Sequence, residues 1–272
     1  MTPHSEANSS HDELCTSGVL ISTAMDDLAL ALALADEADR LTLPAFDAGA
    51  TARTKADGTP VTATDHQVEH ALRERLAQQR PGDAVLGEEL GGSERATGRR
   101  WVLDPLDGTE WFARGIPTWG TLIALEDEHG PLVAVVSAPA LRRRWWAARG
   151  EGAYRDGKRI AVSDTAVVAD AFVAHANLYL GFAIDAHALL TAARLSGGFE
   201  SFLAPMLCAE GAADAAIAPR GFLWDLLPAQ LIVEEAGGRF TDFDGRRTAG
   251  GRGAIAANPA LHQDVLNRLS SA

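Results

Sequence analysis

The run Trp101-Val102-Leu103-Asp104-Pro105-Leu106-Asp107-Gly108-Thr109 sets two carboxylates three positions apart behind a short apolar stretch. Trp101 to Leu103 read as a buried strand with Asp104 at its end. Pro105 lacks the N–H for a ladder bond and is expected to stop that strand, and Gly108 permits a tight turn. Residues three apart in an extended strand face opposite ways. A proline-forced turn would instead let Asp104 and Asp107 converge on one point. Carboxylates held that close repel unless a cation lies between them. Hard oxygen donors of this kind suit Mg²⁺, which commonly keeps waters and a substrate phosphate beside a few carboxylates. Taken alone, Asp-Pro-x-Asp-Gly is better explained as a surface turn, since Asp and Gly are ordinary turn residues. The rest of the chain has to decide.

Upstream, Ala84-Val85-Leu86-Gly87-Glu88-Glu89 is another short apolar run ending in glycine and acid. Downstream, Leu223-Trp224-Asp225 leads into an apolar stretch to Glu235 and then Ala236-Gly237-Gly238. A helix is expected from about Asp225 to Glu235, with Pro228 tolerated near its start and the glycine pair where a C-cap belongs. Asp225 would then be a helix N-cap, and Glu88 and Glu89 solvated loop charges. Against those readings stands one shared property. All these acids lie at strand ends or helix starts, where α/β proteins assemble their sites.

Gly-Glu-Glu, Asp-Pro-Leu-Asp-Gly-Thr and Trp-Asp with its trailing Ala-Gly-Gly, together with Thr62-Ala63-Thr64-Asp65 ahead of a helix, resemble the inositol monophosphatase superfamily of Mg²⁺-dependent phosphatases. The resemblance runs from about Met25 to the C-terminus. Trp101 to Leu125 and Val133 to Gly152 look most like its bacterial histidinol-phosphate phosphatase branch, chiefly through Val136-Ser137-Ala138-Pro139-Ala140 and Arg144-Trp145-Trp146-Ala147-Ala148-Arg149-Gly150. It implies that Glu88, Asp104 and the Leu106 carbonyl hold a first metal and that Asp104, Asp107 and Asp225 hold a second. Asp65 and Thr109 would position the attacking water beside Glu88, and Asp65 would also reach a third, weaker metal. Two or three Mg²⁺ ions are expected, with Mn²⁺ as an alternative. Such ions neutralise a phosphate dianion, acidify a water and stabilise a leaving alkoxide. Gly108 and Thr109, at a helix start, would offer backbone N–H groups to the phosphate.

The chain departs from the family pattern in two places. Glu110-Trp111 follows Asp-Gly-Thr where a Lys-Asn or similar pair is usual. Many members carry a substrate-contacting carboxylate seven residues before the Trp-Asp aspartate; here that position is Ala218, with Arg220 two residues later. A cationic substrate such as histidinol phosphate would want an acid there, and Arg220 would repel its ammonium. Trp111, His175 and Arg220 are candidate substrate contacts, and Asn177, Tyr179, His187, Phe199 and Glu200 lie in the stretch expected to shape the pocket. Histidinol phosphate is the first expectation for the substrate. A sugar, cyclitol or nucleoside monophosphate is the alternative, and a non-catalytic phosphate-binding protein is a third reading.

Composition sets the bounds. The chain has 272 residues, 47% hydrophobic, with 37 acidic against 24 basic residues and a formal net charge of −13. That balance disfavours nucleic acid as a partner. No stretch is apolar and long enough to span a bilayer. Met1 to Thr23 lacks a basic n-region and reads as a tail rather than a signal peptide. Cys15 and Cys208 are not expected to pair, which fits a cytoplasmic location. The expected organisation is a disordered tail over 1–24, an α+β half over 25–165 carrying the metal-binding motifs, and an α/β half over 166–272. Helices are expected over Met25 to Phe46, after Asp65 and over Ile184 to Arg194. Arg142-Arg143-Arg144 reads as a solvated turn. Layered together, the halves give the α-β-α-β-α sandwich, and a homodimer, that the resemblance implies.

Overall fold

A computed structural model describes residues 10–56, 58–92, 98–176, 184–251 and 253–271. The chain opens with α1 (Ser10–Ala48), then a small hairpin of β1 (Arg53–Thr54) and β2 (Pro60–Val61), and then α2 (Ala63–Gln79). Next come β3 (Ala84–Gly87), β4 (Gly91–Gly92), β5 (Arg100–Asp107), the short α3 (Thr109–Ala113), β6 (Gly120–Asp127) and β7 (Gly130–Ala138). β8 (Arg143–Ala148), β9 (Gly152–Arg155) and β10 (Lys158–Arg159) complete an eight-stranded sheet in the order β10-β9-β8-β7-β6-β5-β3-β4. It is antiparallel except where β3 runs parallel to β5.

The second part holds β11 (Phe172–Ala176), β12 (Ile184–Asp185), α4 (His187–Ala192), β13 (Leu195–Phe199), α5 (Leu203–Ala209) and β14 (Ala215–Ala218). It continues through α6 (Leu223–Glu235), β15 (Arg239–Thr241), β16 (Ala254–Ala257), α7 (His262–Arg268) and β17 (Ser270–Ser271). Five of these strands form a mixed sheet in the order β13-β11-β14-β16-β15.

Five layers follow from which faces are apolar. Leu28, Ala35 and Ala38 of α1 and Val68, Leu72 and Leu76 of α2, apolar positions whose spacing marks each helix, pack with Ala31 and Leu34 against Trp101, Leu103, Ile123 and Val135 on one face of the large sheet, while Leu32 and Leu41 of the same α1 spacing are only partly buried. On the opposite face, Val102, Leu122, Val136 and Trp145 pack against Phe202, Met206, Leu227 and Ile232 of the α5–α6 layer. That layer also rests on the small sheet, whose far face packs Val173, Ile217 and Ile255 against Leu189 and Val265 of α4 and α7. The architecture is the expected α-β-α-β-α sandwich, with α5 and α6 shared by both sheets.

Several local expectations are corrected. Helix α1 starts at Ser10, so the tail expected over 1–24 carries helix from that residue on; no proline interrupts it before Pro44, close to its end. Pro105 does not end its strand, because β5 runs on to Asp107. The helix expected over Ile184 to Arg194 is only His187–Ala192, since Ile184 pairs with Ser271 and Leu195 with Phe172 in strands. Arg143 and Arg144 are not in a solvated turn. They lie in β8, Arg144 bonding Asp36 at 2.7 Å and Asp39 at 2.6 Å and Arg143 bonding Glu210 at 3.1 Å. Asn177 and Tyr179 lie outside the described residues.

Candidate active site

A bulge in β5 makes the two aspartates of the Asp-Pro-x-Asp run converge. Asp104 stands opposite Leu122 and Asp107 opposite Gly120, so three steps along β5 match two along β6. The extra residue cancels the alternation of the strand and turns both carboxylates to the same side. Pro105 has no N–H for the ladder, and its carbonyl accepts from the Thr121 hydroxyl at 2.9 Å. Leu106 N–H donates to Asp104 Oδ1 at 2.9 Å and fixes that side chain. Gly108 then takes φ of 87°, and a Cβ there would lie 2.9 Å from the Thr118 carbonyl oxygen, so only glycine fits comfortably.

Asp65 closes a capping box at the start of α2: Thr62 N–H donates to its Oδ2 at 2.9 Å, and Thr64 N–H donates to the Thr62 hydroxyl at 3.1 Å. Its other oxygen lies 3.0 Å from the Thr109 hydroxyl, which is also 3.0 Å from the Leu106 carbonyl. Asp65 is fully buried, and burial holds its pKa above the usual carboxylate range. The chain thus brings together Asp65, the Thr109 hydroxyl and the Leu106 carbonyl.

The Gly-Glu-Glu segment is braced from α2. Buried Glu69 accepts from Glu89 N–H at 2.8 Å and Leu90 N–H at 3.2 Å and bonds Arg73 at 2.7 Å. A Cβ on Gly87 would lie 2.0 Å from Glu69 Oε1. Glycine is therefore required at the start of the motif by a carboxylate eighteen positions upstream. Lys55, from the β1–β2 loop, donates to Glu88 Oε1 at 3.0 Å and Glu89 Oε1 at 2.8 Å. Burial pushes the Glu88 pKa up, partly offset by Lys55, and Asp107 and Asp65 push the same way as burial. Neither Lys55 nor Glu69 had been marked by the sequence; only the Glu69–Arg73 helical spacing was visible there.

From the far side, α6 supplies Asp225. The helix begins at Leu223, so Asp225 is not the N-cap but sits within the first turn, accepting from Phe222 N–H at 2.7 Å. Asp107 is held by α5's approach, where the Ser201 hydroxyl donates to it and Phe202 N–H bonds Oδ2 at 3.0 Å. Asp104, Asp107 and Asp225 each offer an oxygen within 4.8 Å of the others. Burial, then Glu88, Asp107 and Asp225, raise the Asp104 pKa strongly. Burial and then Asp107 push Asp225 up to about 8. An all-oxygen set of crowded, desolvated carboxylates is one that a hard divalent cation satisfies.

These acids floor a cleft of about 430 Å³ whose lining also includes Glu88, Gly108, Thr109, Trp111 and Arg220. Arg220 is exposed at the rim with its guanidinium 5.5 Å from the Phe222 ring centroid. His175 does not line this cleft; it faces an adjoining cavity of about 390 Å³ with Trp111, Phe199 and Glu200. Ala218 is buried in β14 and does not line either cavity. His187 starts α4, is exposed and lines neither cavity. Glu200 is buried, and burial followed by the nearby Asp107 charge pushes its pKa up to about 8.

Comparison with known proteins agrees with this geometry. The inositol monophosphatase family pattern matches residues 25–272. The histidinol-phosphatase of Mycobacterium tuberculosis is 47% identical over 260 residues, spanning 90% of this chain and 98% of its own. That of Streptomyces coelicolor is 40% identical over 264 residues, spanning 90% and 97%. Among solved structures, the Thermotoga maritima IMPase superposes with a TM-score of 0.82 at 26% identity, covering 89% of this chain and 96% of that one. Motifs, layered fold and relatives lead to one assignment: the chain belongs to the inositol monophosphatase family, on the branch that holds these bacterial histidinol-phosphatases.

Proposed function

We propose that this metal-dependent phosphoric monoester hydrolase acts on histidinol phosphate, using Mg²⁺ ions held by Glu88, Asp104, the Leu106 carbonyl, Asp107 and Asp225. The observation that carries the reading is the convergence of Asp104, Asp107 and Asp225 within 4.8 Å beside the bonded Asp65–Thr109 pair. When bound, divalent ions would neutralise the phosphate dianion, lower the pKa of the attacking water and stabilise the leaving alkoxide.

The chain's own residues do the rest. Asp65 fixes the Thr109 hydroxyl, and the two orient the water for in-line attack, with Glu88 placed to take its proton. Backbone N–H groups at Gly108 and Thr109 would meet the phosphate, the Gly108 N–H being shared with the Asp107 carboxylate that it bonds. α3 has only five residues, so these individual N–H groups, not a long helix dipole, carry that contact. Trp111 walls the leaving-group side, between the cleft and the cavity that holds His175. The same reading includes two or three ions, a homodimer and a cytoplasmic setting. Among the described residues no helix is long and apolar enough to cross a membrane.

Arg220 at the rim and the missing acid at Ala218 favour a second reading, a sugar, cyclitol or nucleoside monophosphate. A panel of phosphate esters assayed with Mg²⁺ and ranked by kcat/KM separates the two. Histidinol phosphate is expected first; a rank below the sugar or nucleoside phosphates rejects it. Light scattering of the purified protein tests the dimer.

A further inference from the structure

Away from the cleft, a cavity of about 600 Å³ lies between the end of α6, the edge strand β15 and α7. It shares no lining residue with the cleft. Asp225 sits in the first turn of α6 and Glu235 at its last residue, so roughly 15 Å of helix separates the two openings. Cavities of roughly 300–1,000 Å³ are the size of small-molecule sites.

The walls supply donors whose partners are not in the protein. Phe240 packs into the α5–α6 layer, so its strand neighbours Arg239 and Thr241 project from the opposite face of β15. There the Thr241 hydroxyl meets Nε2 of the buried His262 at 2.9 Å. With that hydroxyl donating, Nδ1 carries the ring proton, and it has no partner among the described residues. Arg239 is exposed and forms no ion pair or hydrogen bond with its side chain among them. Burial, and after it the Arg239 charge, hold the His262 pKa below its usual value, so guanidinium and ring face one space.

The acids of the same cavity are already engaged. Glu234 accepts from Arg247 at 2.6 Å and from Gln230 at 3.1 Å. Glu235 accepts from Gly150 N–H at 2.7 Å and from Gly152 N–H at 2.8 Å. The donors left over are the Arg239 guanidinium and His262 Nδ1, and their chemistry calls for an acceptor that carries negative charge.

We propose that this cavity is a second ligand site, separate from the catalytic cleft, that takes an anionic small molecule by its carboxylate or phosphate oxygens. Arg239 grips the anion in its planar fork, and His262 Nδ1 donates to it from the wall. Thr241 fixes the ring's tautomer from behind, and Leu266 meets the apolar remainder of the molecule. The site does not depend on which ester the cleft hydrolyses, and its occupant can be bound together with substrate.

The test follows the His262 ring resonances by NMR in the Mg²⁺-loaded protein, titrated separately with inorganic phosphate, succinate and neutral glycerol at fixed ionic strength. Phosphate or succinate is expected to shift them saturably while glycerol leaves them in place, and the anion that acts identifies the oxygen group the site takes. Arg239→Gln should weaken that binding by about 10-fold or more, as for one lost charge-assisted contact. Arg239→Lys should keep part of it, and neither variant should change kcat/KM for ester hydrolysis. Shifts that stay linear with concentration, or that are the same in Arg239→Gln, overturn the proposal. Phosphate bound at the metals alone would leave the His262 signals still, and with succinate equally silent the site is refuted while the phosphatase reading stands.

Discussion

Replacing Asp104 by Asn tests the acid cluster from both directions. Asp104 is 1% exposed and shares its surroundings with Asp107 and Asp225, whose oxygens lie within 4.8 Å. Two unit charges at 4.8 Å in an effective dielectric of about 20 repel by ~3.5 kcal/mol. Protons taken up by the cluster relieve part of that, leaving about 1–3 kcal/mol of strain that the substitution removes. Asn keeps the oxygen that accepts from Leu106 N–H, and its amide can donate to Asp225. Without metal, Asp104→Asn should therefore be the more stable protein, melting about 3–10 °C higher. With Mg²⁺ at a hundredfold excess over Kd, the wild type should gain ~2.7 kcal/mol and the variant little of it. Turnover should fall at least ~10³-fold, equivalent to about 4 kcal/mol of transition-state stabilisation. Scanning calorimetry in chelator and in Mg²⁺, with phosphate release alongside, reads all three. A variant that melts lower without metal, yet keeps the Mg²⁺ increment and its activity, would refute the reasoning.

The metal-free protein should also lose stability as pH rises. Asp225 is held at about 8 against an ordinary 3.8, so the folded state binds more protons than the unfolded one between those values. Its contribution is complete below the lower value and fades toward the upper, so Tm in chelator should fall from pH 5 to pH 8, and a rise would contradict it. Gly87→Ala should destabilise by about 1–3 kcal/mol because its Cβ would meet the Glu69 carboxylate; much of the loss should vanish in a Glu69→Ala background, and additivity in that double-mutant cycle would count against the brace. Ser201→Ala removes the hydroxyl that holds Asp107 and should cost about 1–2 kcal/mol along with Mg²⁺ affinity, read by denaturant melts and metal titration. Cys208 is buried with its thiol pushed up to about 12, so alkylation mapped by mass spectrometry should reach it only on unfolding.

Much of the fold was legible because its determinants are local. The repeat of Val68, Leu72 and Leu76 marks α2, and the apolar run ending at Asp104 marks β5; both elements form, although α2 already begins at Ala63 and β5 runs on past Pro105. The order of the acidic motifs likewise named Asp65, Glu88, Asp104, Asp107 and Asp225, residues the folded chain places around one cleft or its capping network. Tertiary structure decided how they meet. A proline that reads as a stop becomes a bulge only because β6 pairs on both sides of it. Asp225 reaches the cluster from the first turn of α6, not from its cap. Lys55 on Glu88, Glu69 under Gly87, Ser201 on Asp107 and Glu200 beside Gly108 join segments far apart in the chain. Periodicity and turn chemistry register neighbours a few residues away. Contacts of long sequence separation leave no such mark, because the geometry that selects them exists only once both sheets have packed against α5 and α6.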